Sequence, residues 1–442
     1  MKSLALASAF AFALLLPGRA NANPIDMFGF GARATAMGGA ATADAEDSSA
    51  NYYNPAGLVH GDRLRIDIGY RWAQPELQMN GQSVAVDAVH GFVAGLVAPG
   101  QLGPVRYAFG AAFAIPDARL VRVRSLGFAT PRFPDYDNRG QRMYLAANLA
   151  LQIVKGLTIG GGVTFLSRTQ GEVDLKGLVG ISDPNDTQLA TKIDVGLFAI
   201  RYPQFGVRWD ALPWLTLGAS YRHSFTLDLD QKFRIDGDIG NPGVAPIIQG
   251  GFFATEAIVH DLFQPKEASM GFSARLLRNL LVNFDATYAV WSEYPTQPTL
   301  TIELDIKSFN NLVHLPPPRS YPAPGFHDIL IARLGGEWRA RETDATAIDV
   351  RAGYSYEPTP VPEQTGESSL ADADKHTFSL GGGLTFKQLS PILAGSLSFD
   401  AHLSATYLPT RVNHKLDPLD LTGDFTDGGT VWNFGLTMRT VF

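Results

Sequence analysis

The stretch LRIDIGYRWA, residues 64–73, alternates apolar and polar side chains with a period of two. One face carries Leu64, Ile66, Ile68, Tyr70 and Trp72, and the other carries Arg65, Asp67, Gly69 and Arg71. Because successive side chains of a strand point to opposite faces, this pattern predicts a β-strand with one apolar and one charged face. The alternation recurs in TAIDVRAGYSY, residues 346–356, and in VWNFGLTMRTVF, residues 431–442, which ends on an aromatic residue.

Fourteen segments of this kind follow one another along the chain. They lie at residues 64–73, 84–98, 105–116, 142–154, 157–175, 190–208, 214–235, 261–277, 280–306, 327–341, 346–356, 376–386, 397–410 and 431–442. The connections after the even-numbered segments are mostly short, whereas most others are about 14 to 26 residues long, as in outer-membrane barrels. We therefore predict an all-β fold, a 14-stranded antiparallel transmembrane β-barrel; a soluble periplasmic β-protein is the alternative.

The N-terminus predicts export. Residues 1–22, MKSLALASAFAFALLLPGRANA, contain a lysine, an apolar run and a small-x-small site at Ala20-Asn21-Ala22, the features of a secretory signal peptide. A membrane anchor is the alternative, but the apolar run is short for a membrane span. After residue 22 the sequence has no run of 18 apolar residues, so a membrane location requires a closed barrel. We divide the chain into signal peptide 1–22, N-terminal segment 23–62 and barrel 63–442.

Composition removes several functional classes. The chain has no cysteine, which excludes disulfides and thiolate metal sites, and its net charge of −7 argues against nucleic acid as a partner. The motifs HExxH, GxxxxGK[ST] and GxSxG are missing, and the nine histidines show no metal-ligand spacing. We expect no cofactor, no metal and no enzymatic activity, although a serine–histidine pair assembled in space stays an open alternative.

The segment 23–62 is rich in glycine and alanine and contains the turn Asn54-Pro55. A fourteen-stranded barrel is wide enough to leave a lumen, and small residues let a backbone lie close to the barrel wall. We therefore predict that this segment folds into the lumen as a plug, with Arg33 paired to inward-facing acids. A disordered N-terminal tail is the alternative.

The segment GFGARATAMGGAATADAEDSSANYYNPAGL, residues 29–58, resembles the N-terminal hatch of the FadL-type transporters, which carry long-chain fatty acids or aromatic hydrocarbons across Gram-negative outer membranes. The matching residues are Arg33, Gly39, Asn54, Pro55 and Ala56. The resemblance implies a barrel plugged by its N-terminus, an apolar groove on the loop side, an inner pocket, and lateral exit through a kink in the third strand. The same hatch motif also occurs in some relatives that assist protein secretion.

These features predict passive uptake of hydrophobic small molecules, such as long-chain fatty acids, by an exported outer-membrane protein. A non-transporting barrel that assists protein secretion is the alternative. The expected partners are the hydrophobic ligand, outer-membrane lipid and the barrel assembly machinery, and we expect a monomer.

The predicted ligand groove comes from two loops. Residues 252–263 show near-helical apolar spacing, which suggests a short amphipathic helix, and residues 175–189 offer the opposing wall. Mutual capping of the two loops is the alternative. The groove residues are Leu178, Ile181, Ile247, Ile248, Phe252, Phe253 and Ile258.

Two further predictions concern the barrel. Four inward-facing arginines are candidates for selecting a ligand carboxylate: Arg71, Arg222, Arg333 and Arg351. The alternative is that they balance lumen acids, namely Asp67, Asp285, Glu337 and Asp349. Phe442 and the alternating face before it are expected to form the assembly signal and the last strand.

Overall fold

The structure is a computed structural model. It describes residues 24–118, 130–136, 142–180, 183, 186–240, 248–296, 300–305, 323–387, 389 and 395–442. In parts of the strands between residues 168 and 305 it describes the backbone alone. The predicted signal peptide lies outside these residues, so its assignment stays a prediction.

The described chain contains eighteen strands. They are β1 (Arg65–Met79), β2 (Gln82–Ser83), β3 (Val89–Leu102), β4 (Val105–Pro116), β5 (Tyr144–Val154), β6 (Leu157–Gly180), β7 (Gln188–Leu212), β8 (Leu215–Arg222), β9 (Phe225–Gly240), β10 (Ile248–Gln264), β11 (Lys266–Leu277), β12 (Leu280–Val290), β13 (Leu300–Asp305), β14 (Ile329–Glu342), β15 (Thr346–Glu357), β16 (Lys375–Phe386), β17 (Ser396–Asn413) and β18 (Phe425–Val441).

Fourteen of these strands form a closed antiparallel wall in the order β1, β3 to β8, β11, β12 and β14 to β18. The wall closes because β18 pairs with β1 from Arg65↔Val441 to Met79↔Asp427. Alternation sets the two faces: Asp67 is 4% exposed toward the lumen, whereas Ile68 is 49% exposed on the outside. The predicted 14-stranded barrel is confirmed.

The connections at one end of the wall are mostly short, and those at the other end are mostly longer. The first end carries residues 103–104, 155–156, 213–214, 278–279 and 343–345 and the longer connection 387–395. The other end carries residues 80–88, 117–143, 181–187, 223–265, 291–328, 358–374 and 414–424. Since short turns face the periplasm in outer-membrane barrels, the long connections are extracellular.

Three sequence predictions fail at the extracellular end. The segment 214–235 is not one wall strand, because β9 leaves the wall and pairs in parallel with β6. The segment 280–306 is broken by a 3-10 turn at Trp291–Glu293, and β13 pairs with β10. The helix predicted at 252–263 is wrong, because these residues belong to β10, which pairs with β9 along its length. Hydrogen bonds to distant strands override the local spacing there.

The N-terminal residues 24–62, called the hatch below, fold into short helices: α1 (Pro24–Phe28), α2 (Ala32–Ala36), α3 (Ala50–Tyr53) and a 3-10 helix (Pro55–Val59). The Asn54 side chain begins the 3-10 helix by accepting a hydrogen bond from Ala56 N at 3.1 Å. Most hatch side chains are buried against the barrel wall. In the described part of the chain, no helix has the length and apolarity that crossing a membrane would require.

Candidate functional site

Arg33 joins the hatch to the far wall of the barrel. Its guanidinium contacts Asp44 within the hatch at 2.8 Å and Glu337 of β14 at 2.9 Å. Glu337 also accepts from Arg351 of β15 at 2.7 Å, and Arg351 reaches Asp400 of β17 at 2.6 Å. These contacts form one chain of buried ion pairs across three strands and the hatch. Each charge is partly compensated, which reduces the cost of its burial.

A second ionic group lies beside it. Arg439 of β18 pairs with Asp67 of β1 at 2.8 Å and also with Asp47 of the hatch. The Asp67 carboxylate in turn accepts from Ser48 N at 3.0 Å. Burial of the Asp47 carboxylate opposes ionisation, but the charges of Arg439 and Arg33 outweigh it and lower its pKa to about 2. Asp47 is therefore a charged anchor at neutral pH.

The Asn-Pro turn contacts the opposite side of the wall. The Asn54 amide donates to Thr42 O at 2.7 Å within the hatch and to Val207 O of β7 at 3.0 Å. Asn51 is also bonded to the wall, because the side-chain amide of Gln204 in β7 donates to the Asn51 backbone carbonyl at 2.6 Å. Four of the five predicted hatch residues thus contact the wall: Arg33 and Asn54 by polar bonds, and Pro55 and Ala56 by backbone packing on Gly160. The fifth, Gly39, lies at the cavity above the hatch.

Glycines on the lumen face of the wall make room for this packing. A Cβ atom at any of these positions would overlap a hatch atom, so alanine would require the hatch to shift. We call them the glycine belt: Gly95, Gly110, Gly160, Gly206, Gly218, Gly335, Gly353 and Gly381. Gly160 and Gly381 each begin a run of three glycines inside a strand, Gly160–Gly162 and Gly381–Gly383. The belt has no signal in the sequence, because the need for glycine at each position depends on the hatch atom that packs against it.

A cavity of about 140 Å³, the upper cavity, lies on the extracellular side of the hatch. The hatch contributes an apolar wall to it, consisting of Ile25, Met27, Phe28, Tyr52 and Tyr53. The barrel contributes apolar residues such as Trp291 and Ile331, together with charged residues such as Arg333 and Glu267. The upper cavity is therefore amphipathic.

The four predicted lumen cations have different surroundings. Arg351 belongs to the ionic chain described above, and Arg222 pairs with Glu267 at 3.2 Å and covers the Tyr52 ring at 4.1 Å. Arg71 donates to Gly29 O at 3.0 Å and lies 5.4 Å from the Phe28 ring centre. Arg333 lines the upper cavity and donates to the Thr287 hydroxyl at 2.7 Å. Arg351 fits the charge-balancing alternative, whereas Arg333 keeps the carboxylate hypothesis open.

A second cavity of about 640 Å³, the lower vestibule, lies on the periplasmic side of the hatch. Its lining is dominated by charged side chains, including Arg33, Asp47, Arg208, Arg275 and Arg439. Arg208 contacts Glu46 of the hatch at 2.7 Å, so this ionic surface continues onto the plug itself. An apolar ligand in the vestibule would lie among charges that its chain cannot solvate.

The extracellular end is covered by a lid formed by residues 130–136 and 358–374. Lys375, at the start of β16, forms ion pairs with Asp135 at 3.4 Å and Asp372 at 3.2 Å, which both belong to the lid. It also pairs with Glu357, at the end of β15, at 3.2 Å. An aromatic cluster lies beside it and contains Phe263, Trp291, Tyr294 and Phe326, with the Tyr294 and Phe326 rings stacked at 4.1 Å. Both features border the upper cavity, because Asp135 and Tyr136 of the lid and Trp291 of the cluster line it.

The predicted groove residues are only partly described. Leu178 is half-buried near the end of β6, and Ile181 and Ile247 lie outside the described residues. Ile248, Phe252, Phe253 and Ile258 lie in β10, where the backbone alone is described. The role of the groove residues in ligand binding stays a prediction, but the four that belong to β10 lie in a strand and not in a helix.

Barrel pairing has one discontinuity that bears on lateral exit. The β7–β8 ladder ends at Gln204↔Arg222, with one further backbone bond from His223 N to Pro203 O at 3.2 Å, and among the described residues β7 from 188 to 202 pairs only with β6. We call the place where β7 and β8 separate the seam. Next to the seam, Tyr202 stacks on Phe225 with ring centres 4.6 Å apart. The third wall strand, β4, pairs with both neighbours without a register shift, so the pairing gives no sign of the kink that the resemblance implies.

Phe442 lies at the end of β18 and is 48% exposed. Its backbone N–H donates to Leu64 O at 3.0 Å, which extends the contact that closes the barrel. Its role as an assembly signal stays a prediction. Among the described residues, no group of three or more histidines, aspartates and glutamates is arranged to hold a metal ion.

The closed wall, its apolar outer face and the ion-paired plug define a plugged β-barrel of the Gram-negative outer membrane. The chain belongs to the outer membrane protein transport protein family (OMPP1/FadL/TodX), whose family model matches residues 18–442. The resemblance found in the hatch is thereby confirmed.

Individual relatives are distant. The chain is 24% identical over 412 residues to alkane uptake protein A of Marinobacter nauticus, covering 86% of this chain and 83% of that one. A FadL homologue from Pseudomonas aeruginosa has a similar fold, with a TM-score of 0.58 and 15% identity over 96% of this chain and 99% of that chain. The Pseudomonas putida toluene transporter TodX has a TM-score of 0.54 and 15% identity over 93% and 98%.

Proposed function

We propose that this protein takes up hydrophobic small molecules across the outer membrane without an energy source. A ligand enters the upper cavity from the extracellular side and leaves sideways into the membrane. The observation that carries the proposal is the contrast between the two cavities. The hatch presents Ile25, Phe28 and Tyr52 to the upper cavity and charged groups such as Asp47 to the lower vestibule.

The upper cavity suits an amphipathic or apolar ligand. Each methylene that leaves water for an apolar wall contributes about 0.8 kcal/mol, so a chain held against Phe28, Tyr52 and Ile331 gains from burial. Ordering the ligand and the side chains offsets part of this gain. The names of two relatives, which refer to alkane uptake and toluene transport, support this ligand class.

The lower vestibule argues against exit to the periplasm. An apolar chain that crossed it would separate the buried ion pairs of Arg33, Arg351 and Arg439 without replacing their hydrogen bonds. The seam between β7 and β8 offers a sideways route. It lies beside Arg222, Gln264 and Glu267 of the upper cavity, and Phe205 continues the β7 face toward lipid.

Uptake by cells tests the proposal. Cells that carry the gene and cells that lack it are given radiolabelled hexadecane, hexadecanoate and toluene at limiting concentration, and the purified protein is extracted for retained lipid. Faster uptake of at least one compound by the gene-carrying cells supports the proposal. Equal uptake of all three, with protein partners that co-purify tightly and no retained ligand, would instead favour the secretion accessory.

A further inference from the structure

The connection between β17 and β18, residues 414–424, exposes three leucines to solvent. Leu416 is 81% exposed, Leu419 is 86% exposed and Leu421 is 95% exposed. These are the highest values for large apolar side chains among the residues that the structure describes. We call them the leucine surface. The three leucines lie within six consecutive residues of one loop. Exposed apolar side chains that lie close together mark a binding surface more often than isolated ones do.

The exposure does not come from an unstructured loop. Asp417 accepts from Leu419 N at 2.9 Å, and Asp420 accepts from Thr422 N at 2.8 Å. At the base of the loop, Asp424 accepts from Lys415 N at 2.8 Å. These side-chain-to-backbone bonds fix two successive turns and hold the leucines outward. The chain is therefore preorganised with its apolar side chains in water.

The loop is attached to the lid above the upper cavity. Leu416 N donates to Thr365 O at 3.0 Å, and the Lys415 ammonium donates to Gly366 O at 2.6 Å and Ser368 O at 2.7 Å. The leucine surface thus borders the lid segment 358–374. A ligand bound there would lie at the extracellular end, on the same side of the hatch as the upper cavity.

Membrane lipid does not account for the three leucines. The lipid-facing aromatic residues nearest this end of β17 and β18 are Tyr407 and Trp432. Residues 408–413 of β17 continue beyond Tyr407 before the loop begins, and each residue of a strand adds about 3.3 Å of length. The loop therefore lies outside the apolar band of the barrel.

The charges around the leucines are unsuited to an acidic ligand. His414 and Asp424 pair with each other at 3.0 Å, and the Lys415 ammonium is occupied by lid carbonyls. Asp417 and Asp420 lie between the leucines in sequence, and Glu363 accepts from His414 N at 3.2 Å. A carboxylate that approached would meet carboxylates, and like charges disfavour its binding.

We propose that the leucine surface captures uncharged hydrocarbon chains at the entrance and discriminates against fatty-acid carboxylates. The inference rests on the proposed function and narrows its ligand class. Three apolar side chains offer contact area without a hydrogen-bonding partner, which matches an alkane chain. The neighbouring aspartates add a repulsive element against the acid of the same length.

The test compares hexadecane with hexadecanoate at limiting and at saturating concentration. The triple variant Leu416→Ser, Leu419→Ser, Leu421→Ser keeps every backbone hydrogen bond of the loop. Leu102→Ser, at the periplasmic end of β3 and 77% exposed in the native protein, is the control for removal of an exposed leucine. We expect the triple variant to take up hexadecane about tenfold more slowly at limiting concentration, at an unchanged maximum rate. Leu102→Ser should behave as the native protein does.

A second variant tests the charge argument. Asp417→Asn with Asp420→Asn keeps side-chain oxygens that can accept the turn hydrogen bonds but removes two negative charges. It should raise hexadecanoate uptake at limiting concentration severalfold and leave hexadecane uptake unchanged. An unchanged ratio of the two uptakes in this variant would overturn the discrimination.

The outcomes separate this inference from the proposed function. Native protein that takes up neither of these compounds nor toluene contradicts the proposed function itself, whereas uptake of toluene alone overturns the inference and leaves the proposed function standing. Native uptake of hexadecane that the triple variant retains in full overturns the leucine surface as a capture site and leaves the proposed function standing. A triple variant that differs only by no longer forming dimers would assign the surface to a second copy of the chain and would also overturn capture.

Discussion

At the scale of single residues, Arg33 shows how one side chain links the plug to the wall. Its two carboxylate partners lie on different segments, Asp44 in the hatch and Glu337 in β14. The sequence predicts a pairing with inward acids, because an isolated buried cation is costly. It could not identify Glu337, since the partner depends on which strand faces the helix that carries Arg33.

Replacement of Arg33 by glutamine should loosen the hatch. The change leaves Asp44 and Glu337 buried without this cation, and breaking a buried pair in this way costs about 3 kcal/mol or more. We expect faster entry of small polar solutes and easier proteolysis of the hatch in membranes. Arg341→Gln, at an exposed arginine near the periplasmic end of β14, is the control. Native-like permeability in Arg33→Gln would argue that the pair is not an anchor.

Arg333 is the lumen arginine that best fits a ligand carboxylate. It lines the upper cavity and its guanidinium donates to the neutral Thr287 hydroxyl, whereas Arg351 lies between Glu337 and Asp400. For acid that passes the leucine surface and reaches this cavity, Arg333→Gln should therefore slow hexadecanoate uptake severalfold more than hexadecanol uptake. Arg351→Gln should instead disturb the hatch and affect both compounds alike. Equal effects of Arg333→Gln on acid and alcohol would refute selection by this residue.

At the scale of elements, alternation predicts where the wall strands run but not where they leave the wall. The observed β4 has the predicted bounds, residues 105–116, because its two faces differ along its whole length. The segments around β9 and β10 were misjudged. Both extend past the barrel and satisfy their backbones by pairing with each other and with β6 and β13. Such pairing is set by distant chain segments and leaves no local pattern.

The glycine belt makes a prediction about adjacent positions of one strand. A Cβ at Gly335 would overlap the Met37 backbone in the hatch, whereas a Cβ at Gly336 would have Leu281 O as its nearest neighbour, at 3.9 Å. Gly335→Ala should therefore displace the hatch, at a cost of about 1–3 kcal/mol, and raise permeability to small polar solutes. Gly336→Ala should have no such effect. Identical behaviour of the two variants would show that close packing at the belt does not hold the plug.

The seam between β7 and β8 can be locked, because the chain has no cysteine of its own. Gln204 and Arg222 are the last paired residues before the strands separate. A disulfide from Gln204→Cys with Arg222→Cys should slow hydrocarbon uptake, and a reductant should restore it. The control is Ser355→Cys with Thr377→Cys, a paired position that lines the upper cavity between β15 and β16. Uptake that is insensitive to the first lock would exclude opening of this seam.

At the scale of the whole molecule, the barrel and the hatch divide the lumen into compartments of different chemistry. The sequence predicts the barrel, the plug and the family, because alternation, loop lengths and the hatch motif are local features. The resemblance implies an inner pocket, but the sequence does not predict which residues line either cavity, because the lining comes from distant segments, as Tyr52, Arg333 and Lys375 illustrate. The amphipathic character of the upper cavity appears only when these strands close around the hatch.

Deletion of residues 24–62 separates the two roles of the hatch. The open lumen should admit small polar solutes much faster, because a fourteen-stranded barrel without its plug is wide enough for water. Hydrocarbon uptake should fall rather than rise, since the hatch supplies Ile25, Phe28 and Tyr52 to the apolar wall of the upper cavity. Assembly of the variant barrel is checked by its resistance to unfolding in detergent before heating. If deletion instead accelerated hydrocarbon and polar uptake together, the hatch would be a simple stopper, and the ligand would travel straight through the lumen.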